Sequence, residues 1–353
     1  MRPEILQLIR RGTAIPASPL ALEADRHFDA RRQRVLMRYY VEAGAGGVAV
    51  GMHFTQFEIR NPGIDLYEPV LQTCADELTR LETSRGRQIL KLAGLNGRTH
   101  SALEQARLAR DLGYDAVITS LAAFDGALDR EMIHHMRQIA EILPTFGFYL
   151  LTGVGGIPLS YRFWRELVDV ENVIGIKIAP FDRYASIDVI RAVVASGREN
   201  EITLYTGNDD SILYDLAVPF QFPGPKGGTT IHIRGGLLGQ WACWTQTAVQ
   251  FLEKMRVWQE SGEPLPRELL TLSAQITDAN AAIFDAAHTF AGSIPGVNEV
   301  LRRQGLLEGN WTLKPDEVLA PGQFEEIDRV YLAYPNLNDD VFVAANLSRW
   351  LEE

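Results

Sequence analysis

The chain has 353 residues, of which 46 % are hydrophobic and 22 % charged, a composition that excludes a disordered or fibrous protein. Its 34 basic and 45 acidic residues give a net charge of −11, which disfavours binding to nucleic acid or to anionic lipid. The first residues, "MRPEILQLIRRG", lack the apolar core of a secretory signal, and no later segment has the roughly 20 apolar residues that span a bilayer. We therefore expect a soluble, cytoplasmic protein that binds neither nucleic acid nor membrane.

The two cysteines are far apart in the sequence. Cys74 and Cys243 form no C-x-x-C pair, so neither a disulfide framework nor a zinc knuckle is indicated. No G-x-G-x-x-G turn follows the first apolar segment, as a dinucleotide-binding sheet would require. We expect no cofactor and no metal.

Short β-branched or apolar segments alternate with helical patterns along most of the chain. Such alternation is typical of parallel β/α folds. Eight segments have the character of strands, and eight strands favour a (β/α)8 TIM barrel over an open doubly wound sheet. The predicted strands are residues 13–17, 47–51, 88–94, 115–120, 146–151, 172–177, 201–207 and 229–234.

Helical patterns fill the rest of the chain. Residues 30–44 and 129–143 have apolar side chains at spacings of three and four, which predicts helices that cover the barrel. After a helix near 240–260, only helical patterns follow. We expect a catalytic barrel over residues 1–260 and a C-terminal helical segment over residues 261–353 that packs on it.

One lysine lies inside an apolar strand, "NVIGIKIAPFD". Strand alternation places Ile174, Ile176 and Ile178 on the outer face, and Val173, Gly175 and Lys177 on the face that points into the barrel. Burial disfavours the ammonium ion, so the pKa of this lysine should fall and its neutral amine become a nucleophile toward a carbonyl. Lys177 is therefore a candidate for Schiff-base catalysis.

The same alternation brings other polar residues to the mouth of the barrel. We expect Gly51 and His53 to point inward after the second strand, and Tyr149 from the fifth, where it can transfer a proton. On the predicted eighth strand, Ile231 and Ile233 face outward, and the inward residues are Thr230, His232 and Arg234.

Three motifs resemble the dihydrodipicolinate synthase/N-acetylneuraminate lyase family of class I aldolases: "YLLTGVGG", "NVIGIKIAPFD" and "LYTGNDDS". The resemblance implies a (β/α)8 barrel, a homotetramer or homodimer, and a Schiff base between Lys177 and pyruvate or another 2-oxo acid. Tyr149, 177 − 149 = 28 residues before the lysine, matches the family's tyrosine. Gly207, with Asp209 or Asp210, matches its S-G-x-D turn, and Ile231 matches the residue whose backbone carbonyl lies near the bound oxo acid.

Several positions depart from the family pattern. The G-T-T-G-E turn that grips the pyruvate carboxylate is replaced by Gly51, Met52 and His53, and Val154 stands where synthases have an arginine. Phe124 stands where a tyrosine crosses a subunit interface. We therefore expect a lyase or aldolase that cleaves, condenses or dehydrates a sugar-derived acid and does not synthesise dihydrodipicolinate. The acidic end of the substrate should lie between His53 and Arg234, with a hydrophobic or hydroxylated tail near Val154.

Other interpretations of these residues remain open. Asp209 and Asp210 are read as caps of the seventh helix, and His232 as a residue that fills space. A metal-dependent aldolase would need several carboxylate and histidine ligands at the strand ends. A non-catalytic or regulatory small-molecule-binding barrel is the main alternative, although such a protein has no reason to keep both Lys177 and Tyr149.

Overall fold

Ten strands occur in the structure, a computed structural model that describes residues 1–224 and 227–353. Seven of them coincide with the first seven predicted strands to within a few residues at each end. The strands are β1 Ala14–Pro16, β2 Gly47–Val50, β3 Leu90–Leu95, β4 Ala116–Thr119, β5 Thr145–Leu150, β6 Val173–Ala179, β7 Thr203–Thr206, β8 Phe220–Gly224, β9 Gly227–Ile231 and β10 Gly235–Leu238.

Eight of these strands form one parallel sheet, in the order β1-β10-β7-β6-β5-β4-β3-β2. A parallel bridge between Ala17 and Ala49 joins its two ends. Apolar side chains fill the interior, among them Ile15, Leu92 and Phe146. The predicted (β/α)8 barrel is confirmed, and its carboxyl-terminal face is where such barrels carry their sites.

Helices surround this barrel and continue beyond it. None of the described helices is long and apolar enough to cross a bilayer. The helices are α1 Pro3–Arg11, α2 Ala30–Glu42, α3 Tyr67–Arg85, α4 Thr99–Asp111, α5 Asp129–Ala140, α6 Tyr161–Leu167, α7 Arg183–Ser196, α8 Ile212–Ala217, α9 Thr245–Ser261, α10 Arg267–Ile283, α11 Ser293–Arg303, α12 Gln323–Ala333 and α13 Asp340–Glu352.

Helix α1 closes the amino-terminal end of the barrel. Its buried Ile5 and Ile9 belong to the interior cluster, and the Tyr205 hydroxyl donates a hydrogen bond of 2.9 Å to the Ile9 carbonyl oxygen. The interior is therefore blocked at this end, and a ligand reaches it from the carboxyl-terminal face.

The eighth strand of the barrel is not the predicted one. Thr229, Thr230 and Ile231 belong to β9, which pairs antiparallel with β8 in a separate hairpin, and β10 takes the place between β1 and β7. A Cβ on Gly235 would lie 2.5 Å from the Thr13 carbonyl oxygen, so a glycine is needed for the strand to fit there. The prediction of a strand over 229–234 in the barrel is wrong, and Pro225 and Lys226 lie outside the described residues.

A bulge alters the start of β6. Thr145 pairs with Val173 but Phe146 pairs with Gly175, so Ile174 is left over in the ladder. Val173 consequently packs in the core outside the barrel and Ile174 against the interior cluster, opposite to the prediction. Beyond the bulge the predicted alternation holds.

The C-terminal helices pack on the barrel's outer layer. The Tyr39 hydroxyl on α2 donates a hydrogen bond of 2.8 Å to Asp339, just before α13, and the Arg38 guanidinium donates to the Trp350 carbonyl oxygen. Helix α9 ends at Ser261, close to the predicted division at residue 260. The division into two units stays a prediction.

Candidate active site

A pocket opens at the carboxyl-terminal ends of the barrel strands, where the C-terminal segment also contributes residues. Its empty volume is about 520 Å³, including solvent at its mouth. Four polar side chains line it, those of His53, Lys177, Asp209 and Ser293. The larger apolar side chains in its wall are those of Met52, Phe54, Phe148, Leu150, Leu151, Val154, Phe181, Phe284 and Phe290.

Lys177 points from β6 into this pocket, as predicted. It is 9 % exposed, and its Nζ lies 4.6 Å from the ring centroid of Phe148 on β5. Burial lowers the pKa of the Lys177 amine to about 8, while the negative charge of Asp209 acts in the opposite direction. A substantial fraction of this amine is therefore neutral at slightly alkaline pH.

Gly207 provides the space that the lysine side chain occupies. A Cβ at this position would lie 2.5 Å from Lys177 Cε and 2.7 Å from the Ala179 Cβ. Such distances are shorter than van der Waals contact, so any larger residue would displace the lysine. Gly207 lines the pocket as predicted, and its contact is with the lysine stem.

Asp209 is the second ionisable group in the pocket. It is 5 % exposed, and its Oδ1 accepts a hydrogen bond of 2.8 Å from the Gln240 backbone N–H. Burial raises the pKa of the Asp209 carboxyl to about 7, against the effects of that hydrogen bond and of Lys177. Asp209 is thus available both as an acid and as a base near neutral pH.

The sequence interpretation of Asp209 as a helix cap is wrong. Helix α8 has Ser211 at its N-cap and no side-chain hydrogen bond to that end of the helix. The signal that could have identified Asp209 is its position two residues after Gly207, at the carboxyl end of a barrel strand, where catalytic groups of such barrels lie.

His53 lies directly after β2, and its ring borders the C-terminal segment. Its Nε2 is 3.3 Å from the Ser293 hydroxyl oxygen at the start of α11. Burial, with a smaller effect from Lys177, lowers the pKa of His53 to about 4. The imidazole is therefore neutral at pH 7 and acts as a hydrogen-bond donor or acceptor, with no positive charge to offer an anion.

The two residues before His53 differ in their placement. Met52 lines the pocket. Gly51 does not; its N–H donates to the Thr55 hydroxyl at 2.8 Å, and its carbonyl oxygen accepts from Arg60 at 2.8 Å. Of these three predicted binding residues, the structure thus brings Met52 and His53 to the pocket and turns Gly51 away.

In the part of the chain that the structure describes, no three His, Cys, Asp or Glu side chains are grouped as they would be around a metal ion.

A protein-family model described as the "Dihydrodipicolinate synthetase family" matches residues 15–222, more than half of the chain. The chain belongs to this family. Members of the family are class I aldolases and lyases that form a Schiff base.

Curated relatives within the family are distant. A 4-hydroxy-tetrahydrodipicolinate synthase of Alkaliphilus oremlandii is 31 % identical over 117 residues, which are 33 % of this chain and 38 % of the relative. One of Laribacter hongkongensis is 28 % identical over 178 residues, 49 % of this chain and 56 % of the relative. The matched part of the chain thus spans about two fifths to just over half of the length of these relatives.

Solved structures of the family share the whole fold. Dihydrodipicolinate synthase from Oceanobacillus iheyensis superposes with a TM-score of 0.72 at 17 % identity, over 94 % of this chain and 99 % of that one. N-acetylneuraminate lyase from Fusobacterium nucleatum, solved in complex with pyruvate, gives a TM-score of 0.68 at 16 % identity, over 94 % and 99 %. At these identities the likeness establishes the fold alone.

The predicted orientation of Tyr149, the match to the family's tyrosine, is wrong. Its ring packs outside the barrel against Trp164 of α6, with ring centroids 5.4 Å apart. Its hydroxyl accepts a hydrogen bond of 3.2 Å from the Leu159 N–H. The inward residue of β5 that pairs with Lys177 is Phe148, which has no hydroxyl to transfer a proton.

The predicted positions of Arg234 and Ile231 are also wrong, because the strand that carried them is not in the barrel. Ile231 pairs with Phe220 in the hairpin. Arg234 lines a separate cavity with Arg10 and Arg11, next to the helix that closes the amino-terminal end. Neither residue lines the pocket.

Two other departures from the family pattern have different outcomes. Val154 lines the pocket, as predicted for the residue at the arginine position. Phe124 is 4 % exposed and lies under the Arg98 guanidinium, whose carbon atom is 4.7 Å from the ring centroid. Phe124 therefore belongs to the packing of this chain and does not line the pocket.

Proposed function

We propose that Lys177 forms an imine with pyruvate or another 2-oxo acid, and that this chain cleaves or forms a C–C bond next to the former ketone, or dehydrates the acid. Synthesis of dihydrodipicolinate itself is not proposed, because the pocket lacks a counterpart of the synthases' arginine. The observation that carries the proposal is a buried lysine with an amine pKa of about 8 in an open pocket.

The chemistry follows from the neutral amine. Its nitrogen adds to C2 of the oxo acid, water leaves, and the resulting protonated imine withdraws electrons from C3. In the cleavage direction, a base removes the proton of a C4 hydroxyl, the C3–C4 bond breaks, and its electron pair forms an enamine. The aldehyde departs, C3 is protonated, and hydrolysis releases pyruvate and the lysine.

Asp209 is our candidate for the proton transfers. It is the one carboxyl group that lines the pocket among the described residues, and its pKa of about 7 suits a group that both accepts and returns a proton. The tyrosine expected for this step, Tyr149, packs outside the barrel. Asp209 therefore replaces it in our assignment.

His53 and Ser293 are our candidates for holding the substrate carboxylate. Both are hydrogen-bonding groups without negative charge, and the His53 Nε2 and the Ser293 hydroxyl lie 3.3 Å apart where both line the pocket. In this arrangement the acidic end lies toward the C-terminal segment, and Arg234 has no part in it.

Borohydride trapping tests the proposal. Incubation with pyruvate and sodium borohydride should add a reduced pyruvyl adduct to Lys177, detectable by peptide mass analysis. The Lys177→Met variant should give no adduct, and Lys254→Met, which changes an exposed lysine, should react like the parent. Absence of an adduct with pyruvate and with a panel of 2-oxo acids would overturn the proposal.

The same experiment examines the carboxylate site. The His53→Ala variant should need about tenfold more pyruvate for half-maximal trapping, as expected for one lost hydrogen bond to a charged group. His134→Ala, at an exposed position of α5, is the matched control. An unchanged requirement in His53→Ala would remove this residue from the carboxylate site.

A non-catalytic small-molecule-binding barrel is the second candidate. The observation in its favour is Phe148, which faces Lys177 where a hydroxyl would assist catalysis. A protein of this kind would form the adduct with pyruvate but release no product from any 4-hydroxy-2-oxo acid.

We also expect a homotetramer or homodimer, since members of the family are oligomeric. Because Phe124 has no hydroxyl and is buried within its own chain, the pocket should not require a residue from a partner. Light scattering during gel filtration, combined with trapping at dilutions that dissociate the oligomer, tests both statements.

A further inference from the structure

Apart from the four polar side chains assigned above to the imine, the proton transfers and the carboxylate, the wall of the pocket is apolar. Every polar side chain among the described lining residues is one already given a role, namely His53, Lys177, Asp209 or Ser293. If the substrate tail carried many hydroxyl groups, these would be buried against phenyl rings and aliphatic side chains that offer no hydrogen bonds. Loss of their hydrogen bonds to water would oppose binding.

Two phenylalanines meet at this wall from opposite parts of the fold. Phe181 follows β6, and Phe290 precedes α11. Their ring centroids are 5.5 Å apart and their planes make an angle of 90°, the edge-to-face arrangement that aromatic rings prefer. Both rings line the pocket and are only partly buried.

The backbone is strained at both of these rings. Phe181 has φ of 52° and Phe290 has φ of 69°, in the left-handed region that bulky residues rarely adopt. Hydrogen bonds hold each strained residue, from the Phe181 N–H to Asn208 Oδ1 at 3.0 Å and from the Phe290 N–H to the Asp285 carbonyl oxygen at 3.0 Å. Strain that is held in this way clusters at ligand sites.

Another part of the wall is aliphatic. Leu150, Leu151 and Val154, from the end of β5 and the loop that follows, line the same pocket. Phe290 also approaches this loop, because a Cβ on Gly153 would lie 3.7 Å from Phe290 Cδ2. The aromatic pair and the aliphatic loop therefore border one space.

We propose that the part of the substrate beyond the imine is apolar and about the size of a phenyl ring, and that Phe181, Phe290 and Val154 select it. The inference rests on the proposed function of Lys177. In the condensation direction, the enamine carbon C3 of pyruvate bonds to the carbonyl carbon of an aromatic aldehyde, whose oxygen takes up a proton. The product is a 4-aryl-4-hydroxy-2-oxo acid, and the reverse reaction cleaves the same bond.

Competing aldehydes test this selection. With pyruvate present, kcat/KM for benzaldehyde should exceed that for glyceraldehyde by at least about tenfold, the discrimination expected of an apolar site against unpaired hydroxyls. Phe290→Ser and Val154→Asn should each reduce the ratio about tenfold. Phe324→Ser, an exposed ring on α12, should leave the ratio unchanged. Equal or greater use of glyceraldehyde by the parent would overturn the inference.

A binding experiment separates this inference from the proposed function. Calorimetry with 4-phenylbutanoate and with gluconate, on the parent and on Lys177→Met, requires no imine. Tighter binding of 4-phenylbutanoate, weakened about tenfold by Phe290→Ser or Val154→Asn, supports an apolar site even if pyruvate forms no adduct. Equal or tighter binding of gluconate overturns the inference even if the adduct forms.

Discussion

Lys177 and Phe148 occupy paired positions on neighbouring strands, with the lysine Nζ 4.6 Å from the ring centroid. An ammonium ion over an aromatic face is stabilised by about 0.5–2 kcal/mol, and the charge of Asp209 also favours the ammonium. Burial opposes both effects and is the largest of the three. The pKa of Lys177 consequently lies near 8, below its usual value of 10.5. Burial therefore makes the neutral amine of Lys177 available as a nucleophile. Phe148 and Asp209 both favour the ammonium form and so raise the pH at which the amine becomes neutral.

Replacement of Asp209 by asparagine should lower the pH at which Lys177 becomes reactive. The carboxylate raises the pKa of the amine, so its loss should move the midpoint of imine formation below pH 8. The rate of borohydride trapping, measured from about pH 6 to about pH 9.5, gives this midpoint. Asp188→Asn, a change at a partly exposed residue of α7 that pairs with Arg191, is the control. A midpoint that stays in place or moves upward would contradict the assigned interaction.

Replacement of Lys177 by methionine should stabilise the fold. The pKa of the buried amine is lower in the folded chain than in the unfolded one, so the lysine destabilises the folded state wherever it is protonated. This effect is complete below about pH 8 and is relieved as the pH rises toward 10.5. We expect a gain in the free energy of unfolding on the order of 1–3 kcal/mol at pH 7.

Denaturant titrations at pH 7 and near pH 10 measure this gain. The advantage of Lys177→Met over the parent should shrink at the higher pH, whereas Lys254→Met should show little difference at either pH. A methionine variant less stable than the parent at pH 7 would mean that contacts of the lysine stem outweigh the burial of its charge.

Tyr149→Phe should retain imine formation and turnover. The hydroxyl interacts with the Leu159 backbone outside the barrel, so its removal should cost about 1 kcal/mol of stability and leave the pocket unchanged. Comparison of trapping rates and of the denaturation midpoint with those of the parent tests both effects. A fall in rate of a hundredfold or more would show that Tyr149 transfers protons after all.

Gly207→Ala should abolish adduct formation. The new methyl group would lie 2.5 Å from Lys177 Cε, so the lysine must leave its position or the strand must shift. Peptide mass analysis after borohydride treatment measures the loss. Gly228→Ala, where an added Cβ meets no atom within 4 Å, should react like the parent, and normal labelling of Gly207→Ala would disprove the predicted displacement.

Periodicity predicted most of the barrel because its strands are short apolar segments between amphipathic helices. It also placed Lys177 correctly, because Ile176 and Ile178 on either side of it pack in the core outside the barrel and leave the lysine facing the interior. The same method failed for Tyr149. Both faces of a parallel strand are buried, so apolar residues occur on both sides, and polarity does not show which face of β5 carries the phenylalanines.

The prediction of the eighth strand failed for a different reason. β-Branched residues in "TTIHIR" do form a strand in part, but its partner is β8 and the two lie outside the barrel sheet. The true strand, "GGLL", begins with glycines that are poor strand formers. Their presence is explained only by the neighbouring Thr13, Tyr205 and Trp241 atoms that a side chain would overlap, and such contacts are not visible in one sequence.

Helix α1, which closes one end of the barrel, has a consequence for the order of folding. It leaves the ribosome before the residues that hold it in place. Its hydrogen-bond partner Tyr205 lies 196 residues later than Ile9, and Arg256, which donates to the Gly12 carbonyl oxygen just after the helix, lies 244 residues later than Gly12. At about 5–20 residues per second, synthesis of the second interval takes roughly 12–50 seconds. During that time the apolar side chains of the helix have no barrel to enter, so they stay accessible to a chaperone that binds nascent chains.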